Sequence, residues 1–107
     1  MNTAQNTVAP VIELSDMRQN AAQAVRLLKS LANESRLMIM CVLAEGEISV
    51  GALNKRIALS QSALSQHLAL LREQGLVATR RESQTIYYSL ADSEAIPLIQ
   101  TLHDSFC

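Results

Sequence analysis

Apolar residues recur along this chain at helical spacing over most of its length. Met17, Ala21, Ala24, Val25, Leu28 and Leu31 fall at three- and four-residue steps and predict one apolar stripe of a first helix. Ser15 is its expected N-cap, with Asp16 in the first turn, where a negative charge suits the helix dipole. Asn33 is the expected cap of a second helix, followed by Glu34. Every residue from Leu37 to Ala44 is apolar, so this helix should be buried on nearly all sides, with Gly46 as its stop. Ser49 should cap a short third helix carrying Val50, Leu53 and Ile57. Ser60 should cap a fourth, running through Arg72 or Glu73 and ending at Gly75. Two such helices joined by a three- to four-residue turn predict a helix-turn-helix.

The period then changes. Val77, Thr79 and the stretch Thr85 to Leu90 are rich in β-branched and aromatic types, with Glu82-Ser83-Gln84 between them, which predicts a small hairpin. A last helix should start at Asp92 or Ser93, because Pro97 is tolerated only near a first turn. The fold class is therefore mainly α with a small β-hairpin: four helices, a hairpin and a helix. Residues 1–13, small and polar, read as a flexible tail, and 14–107 as one domain.

Composition narrows the function. A chain of 107 residues has room for one domain. With 49% hydrophobic and 18% charged residues it has a globular composition. No Gly-rich phosphate loop, H-E-x-x-H or C-x-x-C is present, so neither an enzyme, a bound cofactor nor a zinc module is expected. The first sixteen residues lack Lys and Arg, and the longest apolar run, Leu37 to Ala44, is well short of the roughly 20 residues of a membrane span. A soluble, cytoplasmic protein with no membrane partner is expected.

The fourth helix carries the most informative chemistry. Leu64, Leu68 and Leu71 make one buried face. Opposite lie Ser62, Ser65, Gln66 and Ala69, with Gln61 at the start: short, uncharged side chains, nearly all able to hydrogen-bond. That is what a helix needs to enter a major groove of about 12 Å and read base edges. The net charge of −1 hides a polarised chain: Ser49 to Arg81 carries Lys55, Arg56, Arg72, Arg80 and Arg81 against Glu73 alone, a local +4. Lys55 and Arg56, with Arg80 and Arg81 on the hairpin, flank the fourth helix as phosphate contacts should.

Four segments in order, Leu31-Ala-Asn-Glu-Ser-Arg-Leu37, Leu59-Ser-Gln-Ser-Ala-Leu-Ser-Gln-His-Leu68, Leu71-Arg-Glu-Gln-Gly-Leu-Val77 and Tyr87-Tyr88, resemble the winged helix-turn-helix repressors of the ArsR/SmtB family over residues 17–107. The resemblance implies a homodimer with the first and last helices at its interface, seated on an inverted-repeat operator in double-stranded DNA and released by an inducer. It assigns the DNA-facing set to Gln61, Ser62, Ser65, Gln66 and His67, with Arg80 and Arg81 on the wing. His67 lies about 60° from the leucine face on a helical wheel, where packing competes with a phosphate contact. The wing tip lacks the glycine of many relatives.

The ligand patterns of the family's metal sensors are not met: Ser49 to Leu53 offers no ligand, and Asp92-Ser93-Glu94 is followed eleven positions on by Ser105. Cys41 and Cys107 instead resemble the pair of a thiol- and persulfide-sensing subgroup, the BigR-, SqrR- and HlyU-like repressors, which carry one cysteine on the second helix and one at the end of the last. The resemblance implies redox sensing by linkage of Cys41 and Cys107 under reactive sulfur species or oxidants. Two other readings stand beside it: a metal sensor using Cys41, His103 and Cys107 with Asp104, and a protein-interaction module without DNA binding.

Overall fold

The computed structural model describes residues 13–107, so the tail expected over 1–13 lies outside the described residues except for Glu13. Helix α1 spans Leu14–Leu31, α2 Glu34–Ala44, α3 Val50–Arg56, α4 Gln61–Glu73 and α5 Ala95–Phe106. Strand β1 is Ile48–Ser49, β2 Val77–Glu82 and β3 Thr85–Leu90. The expected helices and hairpin are present, and β1 is an addition. It pairs antiparallel with β3 through Ile48 opposite Tyr88 and Ser49 opposite Tyr87, making a three-stranded sheet in the order β1-β3-β2.

Local signals set most boundaries. The Asn33 side chain accepts the Arg36 N–H at 3.0 Å, and the Arg36 guanidinium donates to the Ser30 and Lys29 carbonyls. One residue thus starts α2 and satisfies carbonyls left open at the end of α1. Ser49 and Ser60 accept the N–H groups of Ala52 and Ala63, each at 3.1 Å, as N-caps should. Across the helix-turn-helix turn, Asn54 Nδ2 donates to the Leu59 carbonyl at 3.0 Å, which ties α3 to the turn ahead of α4.

Two helix starts differ from expectation. Glu13, not Ser15, is the N-cap of α1 and makes no side-chain cap bond. Helix α5 begins at Ala95 rather than at Asp92 or Ser93; the Ser93 hydroxyl accepts the Ala95 N–H at 3.2 Å, so the serine works from a turn ahead of the helix. Pro97 then sits in the first turn.

Ile39, Met40 and Leu43 of α2 lie at the centre of the core with Leu53, Leu64, Leu68, Leu71 and Ile99. The predicted stripe of α1 is largely not part of it: Met17, Val25 and Leu28 are exposed within this chain, as is Leu14, and only Leu31 of the stripe is buried. The helical period was correct, but most of the stripe meets solvent in the single chain. Among the described residues no helix is long and apolar enough to cross a membrane.

Candidate nucleic-acid interface and thiol pair

The face opposite the leucines of α4 is open. Gln61, Ser62, Ser65 and Gln66 are all exposed, while His67 is half-buried on the flank of the helix. Leu64, Leu68 and Leu71 are at most 1% exposed, so the backbone of α4 is seated on the core and its polar side chains project from a rigid base. The Ser62 hydroxyl lies 3.3 Å from that of Ser60, tying the first exposed serine to the N-cap.

The wing brings a change to the expected charge pattern. Arg80 and Arg81 are neighbours on β2 and so point to opposite faces of the sheet. Arg80 is engaged: its Nε and Nη2 donate to the two carboxylate oxygens of Glu47 at 2.8 and 2.9 Å. Its Nη1 donates to Glu82 at 3.3 Å, and its guanidinium lies 4.4 Å from the Tyr87 ring centroid. Arg56 is engaged in the same manner by Glu45, at 2.9 and 3.4 Å. The +4 counted over Ser49 to Arg81 therefore overstates the free charge, because Glu45 and Glu47 stand just outside that window and fold back onto it. Lys55, Arg72 and Arg81 make no ion pair among the described residues.

Sequence reasoning missed Glu45, Glu47 and Tyr87 as parts of this surface. Only the flanking acids left a trace that could have been used, as carboxylates within four residues of the basic segment.

The two cysteines meet. Cys41 on α2 is buried at 6% exposure, Cys107 caps the end of α5 and is exposed, and both are free thiols. They share the wall of a groove of about 400 Å³ with Leu37, Met38, Val42 and Ile57. The Cys41 thiol is pushed up to about 12, first by burial, then by a hydrogen bond with Cys107, the charge of Cys107 and the charge of Glu45. Burial disfavours the thiolate because a charge leaves water for apolar surroundings.

His103, one turn before Cys107, does not join them as a metal ligand. Its Nε2 lies 3.8 Å from Glu45 and its Nδ1 3.7 Å from Asp104. Among the described residues no three His, Cys, Asp or Glu side chains converge on a metal-binding arrangement, so the set Cys41, His103 and Cys107 does not assemble. Glu45 is held below the usual carboxylate range, chiefly by the hydrogen bond from Arg56 and also by the charge of His103. One carboxylate thus faces both α3 and the end of α5.

Comparison with known proteins agrees with this geometry. The profile of the "Bacterial regulatory protein, arsR family" matches residues 33–79, which span α2 to the start of the wing. The transcriptional activator HlyU of Vibrio cholerae is 53% identical over 96 residues, covering 90% of this chain and 89% of that protein. The structure of reduced HlyU from the same species superposes with a TM-score of 0.83, covering 88% of this chain and 99% of that one. The biofilm growth-associated repressor of Xylella fastidiosa is 40% identical over 107 residues, 100% of this chain and 94% of that protein. A homodimeric winged helix-turn-helix DNA-binding domain from Mycobacterium bovis, 29% identical, has a TM-score of 0.74 and covers 90% of this chain and 89% of that one.

Proposed function

The chain belongs to the arsR family of bacterial regulatory proteins, and from that premise we propose that it is a homodimeric repressor released from DNA when Cys41 and Cys107 become linked. As a transcriptional regulator of a DNA-binding family it has the winged helix-turn-helix its relatives share. The observation that carries the sensing half is that the two thiols, 66 positions apart in the chain, line the same groove. The relatives' names differ in sign, activator and repressor. Repression is the simpler act, since occupying an operator needs no contact beyond the DNA face.

Exposed Leu14, Met17, Val25 and Leu28 on α1, with Phe106 at 83% exposure on α5, support the homodimer, because large apolar side chains in such numbers mark an interface. Two copies would offer Gln61, Ser62, Ser65 and Gln66 to successive major grooves roughly 34 Å apart, with Arg81 and Arg80 on the wings beside the backbone and His67 at the flank.

The chemistry runs from the exposed thiol to the buried one. The Cys107 thiolate attacks the outer sulfur of an organic persulfide and expels the donor's thiolate, leaving a Cys107 persulfide. Cys41 loses its proton to solvent, attacks the Cys107 sulfur and expels hydrosulfide. Two thiols are oxidised to a disulfide, and the persulfide is reduced to a thiol and hydrogen sulfide. Glu45 offers the route outward. It sits at the C-terminal end of the helix carrying Cys41, faces His103 beside Cys107, and holds Arg56 of α3. Drawing the end of α5 toward Cys41 shifts this contact, and with it the seat of the helix-turn-helix.

Fluorescence anisotropy on an inverted-repeat duplex, before and after a persulfide donor, tests the reading. Wild type should lose binding as mass spectrometry records a Cys41–Cys107 bridge, either minus two hydrogens or with inserted sulfur. Cys107→Ser should bind and stay bound. If Cys107→Ser dissociates as readily as wild type, the thiol reading fails; if reduced wild type ignores the duplex, the DNA reading fails.

A further inference from the structure

The segment that joins α2 to β1 is Glu45-Gly46-Glu47, and each carboxylate grips a cation of the DNA-facing half. Glu45 takes both Nη groups of Arg56, and Glu47 takes Nε and Nη2 of Arg80. Tyr87 lies on the central strand β3, between Arg80 on β2 and Ser49 on β1. The Arg80 side chain therefore crosses the sheet over the Tyr87 ring to reach the residue just before β1. Gly46 has φ +138°, a backbone conformation that side-chain-bearing residues rarely adopt, so the turn between the two acids depends on its glycine.

We propose that Glu45-Gly46-Glu47 is a built-in phosphate mimic, whose carboxylates occupy Arg56 and Arg80 in the free protein and must be displaced by DNA phosphates. This rests on the reading of α4 and the wing as the DNA face. A guanidinium fork fits carboxylate and phosphate alike, in the same two-pronged geometry. Both pairs are open to water, with side-chain exposures of 48% and 47% for Arg56 and Glu45 and of 49% and 36% for Arg80 and Glu47. Exposed pairs of this kind are weak, so a duplex can take the cations over. The displaced carboxylates then take up counterions of their own, which offsets those released by the phosphates, lowers affinity for every sequence alike and flattens its dependence on salt. Lys55, Arg72 and Arg81 are left as the unmasked cations.

A double-mutant cycle decides it, because a general change in net charge acts in any background whereas a mask acts only on its own cation. Reduced wild type, Glu47→Gln, Arg80→Ala and the double variant are titrated against a duplex of random sequence over a salt series. Glu47→Gln should bind about two- to fivefold tighter, with a salt slope steeper by about one. In the Arg80→Ala background the same change should have little effect. An equal gain in both backgrounds, or weaker binding by Glu47→Gln, overturns the mask. If wild type fails to bind any duplex, the DNA reading itself falls and takes the mask with it.

Discussion

Helices α2 and α4 are of similar length, 11 and 13 residues, yet they place their chemistry in opposite settings. Helix α2 buries Ile39, Met40, Cys41 and Leu43, which span a little over half its circumference, while Met38 is exposed. The helix is therefore not buried on nearly all sides as expected, and its cysteine is governed by burial at the edge of the core. Helix α4 buries only the stripe Leu64, Leu68 and Leu71, and its serines and glutamines answer to water, salt and whatever docks on them. The difference teaches where a substitution is felt. A change on α2 should alter reactivity and stability together, whereas a change on the exposed outer face of α4 should leave stability nearly unchanged.

The largest expected effect is on Cys41. With its thiol pushed up to about 12, only about one molecule in 10⁴ carries the thiolate at pH 8. Iodoacetamide labelling of the reduced protein, followed by peptide mass mapping, should modify Cys107 well before Cys41. The Cys41 rate should rise about tenfold per pH unit through the alkaline range. The same shift affects stability. The folded state holds the Cys41 proton more tightly than the unfolded chain, so this contribution is complete below the ordinary thiol range and is lost as pH rises from about 9 toward 12. Labelling of both cysteines at one rate at pH 8 would break the contrast at its buried end.

A smaller effect sharpens the comparison within α4. Leu68→Ala empties a site that is 1% exposed and should cost about 3 kcal/mol in urea unfolding. Gln66→Ala, two residues away on the open face, should stay within about 0.5 kcal/mol of wild type while changing base preference in a duplex-binding series. Comparable stability losses for the two would mean that α4 is not seated as described.

The same contrast explains how much of the molecule was legible from its residues. Asn33, Ser49 and Ser60 act on N–H groups three residues away, so the starts of α2, α3 and α4 were readable from local chemistry. The pattern Leu64, Leu68, Leu71 announced both a buried face and its polar opposite. Strand β1 was not readable, because two residues carry no period and Ile48-Ser49 becomes a strand only against Tyr87 and Tyr88. The α1 stripe showed that something must cover it, without showing that little of this chain does. The Glu47–Arg80 pair joins residues 33 apart in the chain, and a charge count over one segment cannot see across a sheet. The meeting of Cys41 with Cys107 depends on where α5 crosses α2, which the resemblance to thiol sensors supplied and periodicity alone did not.

The smallest effect is expected where the exposed half departs from local preference. The hairpin turns at Ser83-Gln84, and Ser83 has φ +57°. A positive φ at the first turn position and not at the second is the type II′ pattern, where glycine normally stands because any Cβ is crowded there. Ser83→Gly removes that crowding but also loosens the unfolded chain, and the two effects oppose each other. The net gain should be at most about 1 kcal/mol in thermal or urea unfolding. Because the turn lies far from Leu64, Leu68 and Leu71, its effect should add to that of Leu68→Ala without coupling. A Ser83→Gly variant that is less stable than wild type would mean that the added freedom of the unfolded chain outweighs the crowding relieved at Ser83.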